Sequence, residues 1–331
     1  MKTQDEFLNF VDAELSTELS TVNKQRKGTL KMFFLATFIC VAFVGFMIYS
    51  SMGDVLWLEG ENTLTVIAFV FIALYGIGFS ISYFVKKNKS NATPNTSSGY
   101  GFAYDFKDKV VRRMVEFLDP SFKYQIVNHI KLSEVIQSGM FHESKLKASG
   151  SDLVQGVEDG VPFKFSDLRL VREKTFVGKN EDTEVSVFSG SMFIAEFNKS
   201  FKKPVYVFSK KALGIVSSEL SYTGDKVRLE DPDFDKQFAV YSPDQIEARF
   251  ILTPSMMERL KALRRKMGNN VNIVFANNNI YIANNNGKDR FEIGALSSVN
   301  RRESIIGYYN DLAEQLGIID ELKLNLKIWK A

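Results

Sequence analysis

The chain has 331 residues, with 42 Lys+Arg against 39 Asp+Glu for a formal net charge of +3. So even a balance gives no global field for nucleic acid, and the length is about twice that of a usual single domain. The one cysteine, Cys40, excludes an intramolecular disulfide and any cysteine-based zinc site, and it fits a reducing compartment.

Mean hydropathy is near neutral, but it conceals an apolar N-terminal quarter and a polar remainder. Residues 1–31 open with Phe7, Val11, Leu15, Leu19 and Val22, mostly four apart, with acids between them. That period predicts an amphipathic cytoplasmic helix, packed on the folded domain or on a second copy. Residues 32–50 and 64–85 are uncharged apolar runs of 19 and 22 residues, and a hydrocarbon core takes about 20. They predict a two-helix transmembrane hairpin over 32–86. Lys24, Arg26, Lys27 and Lys31 precede it and Lys86, Lys87 and Lys89 follow it. The loop between the runs holds Asp54, Glu59 and Glu61 and no base. The positive-inside rule then puts both termini in the cytoplasm. Ala73, Gly76 and Ser80 put small residues on one face of the second run. With no ionisable residue in either run, the hairpin reads as an anchor.

Residues 87–103, rich in Ser, Asn, Thr and Gly, predict a flexible linker, and 104–331 a cytoplasmic α+β domain. Phe106, Val110, Met114 and Phe117 form a helix face closed by Asp119-Pro120. A second helix is expected over Ile126, Val127 and Ile130, and a third over 132–141 with Gly139 as its stop. Alternation predicts strands at 163–165, 168–172, 185–188, 192–197, 204–209 and 238–241, with turns at 178–180, Gly190-Ser191 and Gly224-Asp225. Ser242-Pro243-Asp244 and Thr253-Pro254 each look like a helix start, and Gly268 like a stop. Val271–Phe275 and Ile280–Ala283 predict a hairpin around Asn277-Asn278-Asn279, with Phe291 in a further strand. A last helix carries Ile305, Tyr308, Leu312 and Leu316. Helices, then strands, then helix, hairpin and helix argue for a mostly antiparallel sheet with flanking helices rather than βαβ repeats.

Chemical motifs are sparse. His129 and His142 have no partner at metal-ligand spacing, and no HExxH, GxSxG, phosphate loop or dinucleotide fingerprint occurs. The acidic run 230–235 reads as an acidic turn before a strand rather than a calcium loop. No metal, cofactor or nucleic acid is expected. Two residue sets remain as candidates. Arg259, Lys261, Arg264, Arg265 and Lys266 make a basic helix that could touch anionic headgroups or a partner. Asp152, Asp244, Glu247 and Arg249 form a polar set that would matter if it converged in one cleft; helix capping for Asp244 and an ion pair for Glu247 or Arg249 is the plainer reading.

Several stretches carry a family resemblance: SDLVQG at 151–156, FSGSMF at 188–193 with Phe197-Asn198-Lys199, and above all FAVYSPDQIEARFILTP at 238–254. With the paired apolar runs, they resemble a bacterial family of uncharacterised membrane proteins, domain of unknown function 3137, over about 105–320. The resemblance implies the inner membrane as location and no catalytic residues. The leading expectation is a membrane-anchored cytoplasmic interaction or regulatory module whose partners are the lipid bilayer and a protein or a second copy. An enzyme acting near the membrane surface is the first alternative, and a subunit of an oligomeric transporter or channel the second.

Overall fold

A computed structural model describes residues 2–53, 78, 102–174, 183–197, 199, 201–210, 220–288, 290–293 and 302–325. The chain divides into two compact units: residues 1–8, 111–291 and 306–331 in the first, and 9–110 and 292–305 in the second.

The first unit is built on one nine-stranded sheet: β1 Lys123–Gln125, β2 Leu146–Glu158, β3 Val161–Lys174, β4 Thr183–Glu196, β5 Val205–Ser209, β6 Asp225–Val227, β7 Phe238–Ser242, β8 Val271–Ala276 and β9 Asn279–Asn284. Its spatial order is β1-β2-β3-β4-β9-β8-β5-β7-β6, and every adjacent pair is antiparallel. The α+β expectation therefore holds. The β8–β9 hairpin turns at Asn277 and Asn278 with φ of 52° and 56°, the left-handed pair that a type I′ turn requires and asparagine tolerates.

One sheet face carries Leu168, Leu170, Met192, Ile194, Tyr206, Phe208, Val274, Tyr281 and Ala283, which pack with Ile130, Val135, Met140 and Phe141 into one apolar core. The other face carries Phe163, Phe165 and Phe193, with Phe163 stacked on both neighbours at 6.2 and 6.3 Å. Thr253 caps the helix Pro254–Met267 by accepting from Met256 N, and Gly268 ends it at φ 95°. The last helix, Arg302–Leu322, buries Tyr309, Leu312, Leu316 and Ile319. Phe7, on the helix Gln4–Phe10, stacks on Tyr309 at 4.6 Å.

Several local expectations are corrected. Residues 126–130 are not a helix; they leave β1 as a turn whose carbonyls accept from Asp152 N and Leu153 N. Gly190-Ser191 is not a turn but lies inside a continuous β4. Pro243 precedes the N-cap rather than opening the helix: Asp244 caps Gln245–Ile251. The acidic run supplies an N-cap as well: Asp231 accepts from Asp233 N and Phe234 N at the start of Pro232–Gln237. Phe291 sits in a turn at φ 56°, not in a strand.

In the second unit, a π-helical turn, Val11–Leu15, leads into the 38-residue helix Ser16–Gly53. Leu19, Val22, Asn23 and Arg26 of its proximal half are buried. Arg26 donates to Asn23 Oδ1 at 3.1–3.2 Å, and Gln25 Nε2 donates to Asp105 Oδ2 at 3.1 Å, fastening this half to the short helix Phe102–Phe106. Lys107, with only 1% of its side chain exposed, pairs with Glu292 at 2.8 Å.

The membrane expectation is corrected. No helix among the described residues is long and apolar enough to cross a membrane, so the inner-membrane, two-span placement is not supported. In the structure the run 32–50 is the distal half of a longer helix whose proximal half carries Glu18, Lys24, Arg26, Lys27 and Lys31. The second expected run, 64–85, apart from Gly78, its small residues Ala73, Gly76 and Ser80, the outer loop, the linker up to residue 101 and the turn at 178–180 lie outside the described residues.

Candidate functional site

The sequence-derived polar set does not converge. Asp244 accepts from Ile246 N and Glu247 N at 2.9 and 3.0 Å and is a helix cap. Glu247 accepts from the backbone N–H groups of Lys202 and Lys203 at 2.5 and 2.8 Å, and Arg249 donates to the carbonyls of Gln245 and Arg228. These two residues hold backbone rather than an ion pair. Asp152 lies on a different element, at a β2 bulge with φ 61°, where it accepts from Tyr124 Oη at 2.5 Å and from Ser151 Oγ at 2.8 Å.

The basic helix is largely committed inside the protein. Arg259 donates to the Leu322 carbonyl, Lys261 pairs with Asp231 at 2.8 Å and Glu258 at 2.7 Å, and Lys266 pairs with Glu321. Arg264 donates to Gln237 Oε1 and lies over the Phe238 ring, and burial pulls its pKa down. Only Arg265 and Lys266 of the five are exposed. The Lys261 ammonium, followed by the N–H groups of Phe234 and Asp233, holds the Asp231 carboxyl below the usual range. Of the two histidines, His142 is exposed and His129 is bonded through Nδ1 to the Ile130 carbonyl at 2.7 Å. No metal-binding group of three or more His, Cys, Asp or Glu is found among the described residues. An open groove of about 360 Å³ at one end of β3, β4 and β9 is lined by Phe163, Lys164, Glu196 and Asn279, but its lysine is paired with Glu134 at 2.5 Å.

A different polar group, invisible to spacing arguments, lies across the sheet. Ser151, Asp167, Ser191 and Asn284 are successive register partners on β2, β3, β4 and β9, so their side chains share one face. Asp167 accepts from Arg290 N and, at 3.3 Å, from Arg290 Nη1; the two side chains are 8% and 3% exposed. Removing such a charge pair from water is costly, and its N–H···O bonds offset part of that cost. Burial pushes the carboxyls of Asp311 and Glu314 up, and the Arg290 charge pulls them partly back. None of this opens as an accessible cleft with a nucleophile beside a base.

The exposed surface is more informative. In the second unit, Met32, Phe34, Leu35, Phe38, Ile39, Val41, Phe43 and Phe46 are large apolar side chains between 41% and 74% exposed. Met32, Leu35, Ile39, Ala42 and Phe46 are spaced 3, 4, 3 and 4 apart, which is the spacing of a helix–helix seam. Scattered exposed apolar residues are ordinary; a contiguous run of them marks a surface that something covers.

Comparison with known proteins gives a family and no activity. The family model described as "Protein of unknown function (DUF3137)" matches residues 186–324. Residues 186–324 are similar to this family. The match begins within β4, so the part of the resemblance before residue 186 and its membrane-protein descriptor are not borne out. No curated protein matches the chain. Among solved structures, the mycobacterial trehalose monomycolate transport factor A, TtfA, is similar at 12% identity and a TM-score of 0.36. The match covers 66% of this chain and 95% of that one.

Proposed function

We propose that this protein is an interaction module that works by helix–helix association through residues 32–46, with a second copy of the chain as the occupant. The observation that carries it is the exposed apolar run on helix Ser16–Gly53, with its two heptads of seam spacing. The scatter of Asp152, Asp244, Glu247 and Arg249 supports this reading over an enzyme, since the enzyme reading rests on their convergence. Burying four or five such side chains at about 1.5–3 kcal/mol each is enough to hold a dimer after the cost of association.

The test is the mass of the full chain by light scattering at micromolar concentration, beside a variant carrying Leu35→Gln, Ile39→Gln and Phe46→Gln. A dimer or larger species in the parent, reduced to a monomer in the variant with unchanged circular dichroism, supports the proposal. A monomeric parent overturns it. Co-flotation of the parent with lipid vesicles, lost in the variant, also overturns it, because the surface then belongs to lipid.

A further inference from the structure

Among the described side chains of the first unit whose buried polar atoms have no hydrogen bond inside the protein are Ser191 (Oγ), Asn284 (Oδ1), Arg290 (Nε) and Gln315 (both amide atoms), beside Arg264, Asn270 and Asn325. Ser191 is 1% exposed, Asn284 1%, Arg290 4% and Gln315 0%. Ser191 and Asn284 are direct register partners on β4 and β9, and Ser191 is also the partner of Asp167, which holds Arg290. Asn284 Nδ2 is already used, donating to the Met267 carbonyl at 2.9 Å, so only its oxygen is open.

The last helix, which carries Gln315, passes near Arg290. Tyr308, Asp311 and Gln315 are i, i+3 and i+7 and share one stripe of that helix. The Tyr308 ring lies 6.4 Å from Phe291, the residue after Arg290. The Arg290 charge acts on Asp311 and on Glu314, one residue before Gln315. The stripe therefore faces the Asp167–Arg290 pair.

A buried polar atom left unbonded costs about 1–3 kcal/mol, and native folds leave few of them without a partner. Donors and acceptors are both present. Arg290 Nε and Gln315 Nε2 donate, Asn284 Oδ1 and Gln315 Oε1 accept, and Ser191 Oγ does either. An anion would meet Asp167, Asp311 and Glu314; a cation would meet Arg290. A neutral molecule that both donates and accepts suits the set.

We infer that Ser191, Asn284, Arg290 and Gln315 enclose a buried hydration site between the β4–β9 pair and the helix Arg302–Leu322, and that its ligand is water. The helix is then seated through ordered water at this point, with apolar contacts on either side at Leu312, Leu316 and Ile319.

Two readouts on the full chain test it. A crystal structure at a resolution that places water should show at least one molecule bonded to Gln315 and to Ser191 or Asn284, and Gln315→Leu should lower the melting temperature by about 2–4 °C through loss of those bonds. Ser191→Ala should lower it by a smaller amount, in a position where a folding defect is not expected. A dry site, with Gln315→Leu raising the melting temperature because an unbonded amide has been removed, overturns the inference. So does a Gln315 side chain bonded directly to protein in the crystal.

Discussion

Replacing Asp167 with alanine isolates the energetic centre of the buried polar group. The change leaves Arg290 charged with 3% of its side chain exposed, and it takes the acceptor from both Arg290 Nη1 and Arg290 N. Breaking a buried pair by deleting one partner costs about 3–5 kcal/mol, because the remaining charge is desolvated and unpaired. At about 2–4 °C per kcal/mol for a unit of this size, the melting temperature should fall by about 6–20 °C. The double replacement Asp167→Leu with Arg290→Met removes both charges and keeps the volume, so it should cost far less than Asp167→Ala alone. Urea denaturation followed by far-ultraviolet circular dichroism gives these values and, with the single variants Asp167→Leu and Arg290→Met, the coupling. If Asp167→Ala costs less than about 1 kcal/mol, or the double variant costs the sum of its parts, the pair is solvated and the enclosed seat does not exist.

Gly150→Ala should destabilise by about 1–3 kcal/mol in the same assay, since a Cβ there would lie 2.1 Å from the Asp167 carbonyl oxygen, a backbone atom that cannot yield. Asp244→Ala should cost about 1 kcal/mol through loss of its cap, and Asp244→Asn much less. Asp311 and Glu314 have carboxyl pKa values raised by burial, so the folded state holds more protons than the unfolded one above the ordinary carboxylate range. Stability then falls as pH rises through the window from the unfolded value to the raised folded one. Asp311→Asn should therefore melt higher than the parent at pH 7, and the difference should vanish below about pH 4. A gain that persists unchanged at low pH would show that the carboxyl's charge is not its cause.

Much of the sheet's second half was legible because its signals are local. Asn277-Asn278 needs only the preference of asparagine for positive φ, and Thr253-Pro254 with Gly268 needs only capping chemistry. The first half was harder. β2 reads LKASGSDLVQGVE, whose Gly, Ser and Asp break the alternation expected of a strand, and its bulge at Asp152 is set by carbonyls of the preceding turn. Gly190-Ser191 has turn composition, yet it lies mid-strand because β9 and the loop after it come so close that a Cβ at Gly190 would fall 2.0 Å from the Asn284 carbonyl oxygen. The Asp167–Arg290 pair joins residues 123 apart in sequence, and no spacing rule reaches that far. The distal half of helix Ser16–Gly53 differs for the opposite reason: its local apolar signal is strong, but it is continuous with a charged proximal half.

The strand order has a consequence for how the chain is made. β1 through β4 pair with sequence neighbours and can assemble as they leave the ribosome, but the outer flank of β4 pairs only with β9. Until Asn279–Asn284 has been synthesised, Ser191–Glu196 presents an open ladder of N–H and C=O groups beside Phe193 and Ile194. The nascent chain must pass through a stage with a long, apolar, unprotected edge. Variants that slow the arrival of the β8–β9 hairpin should shift newly made protein toward aggregates.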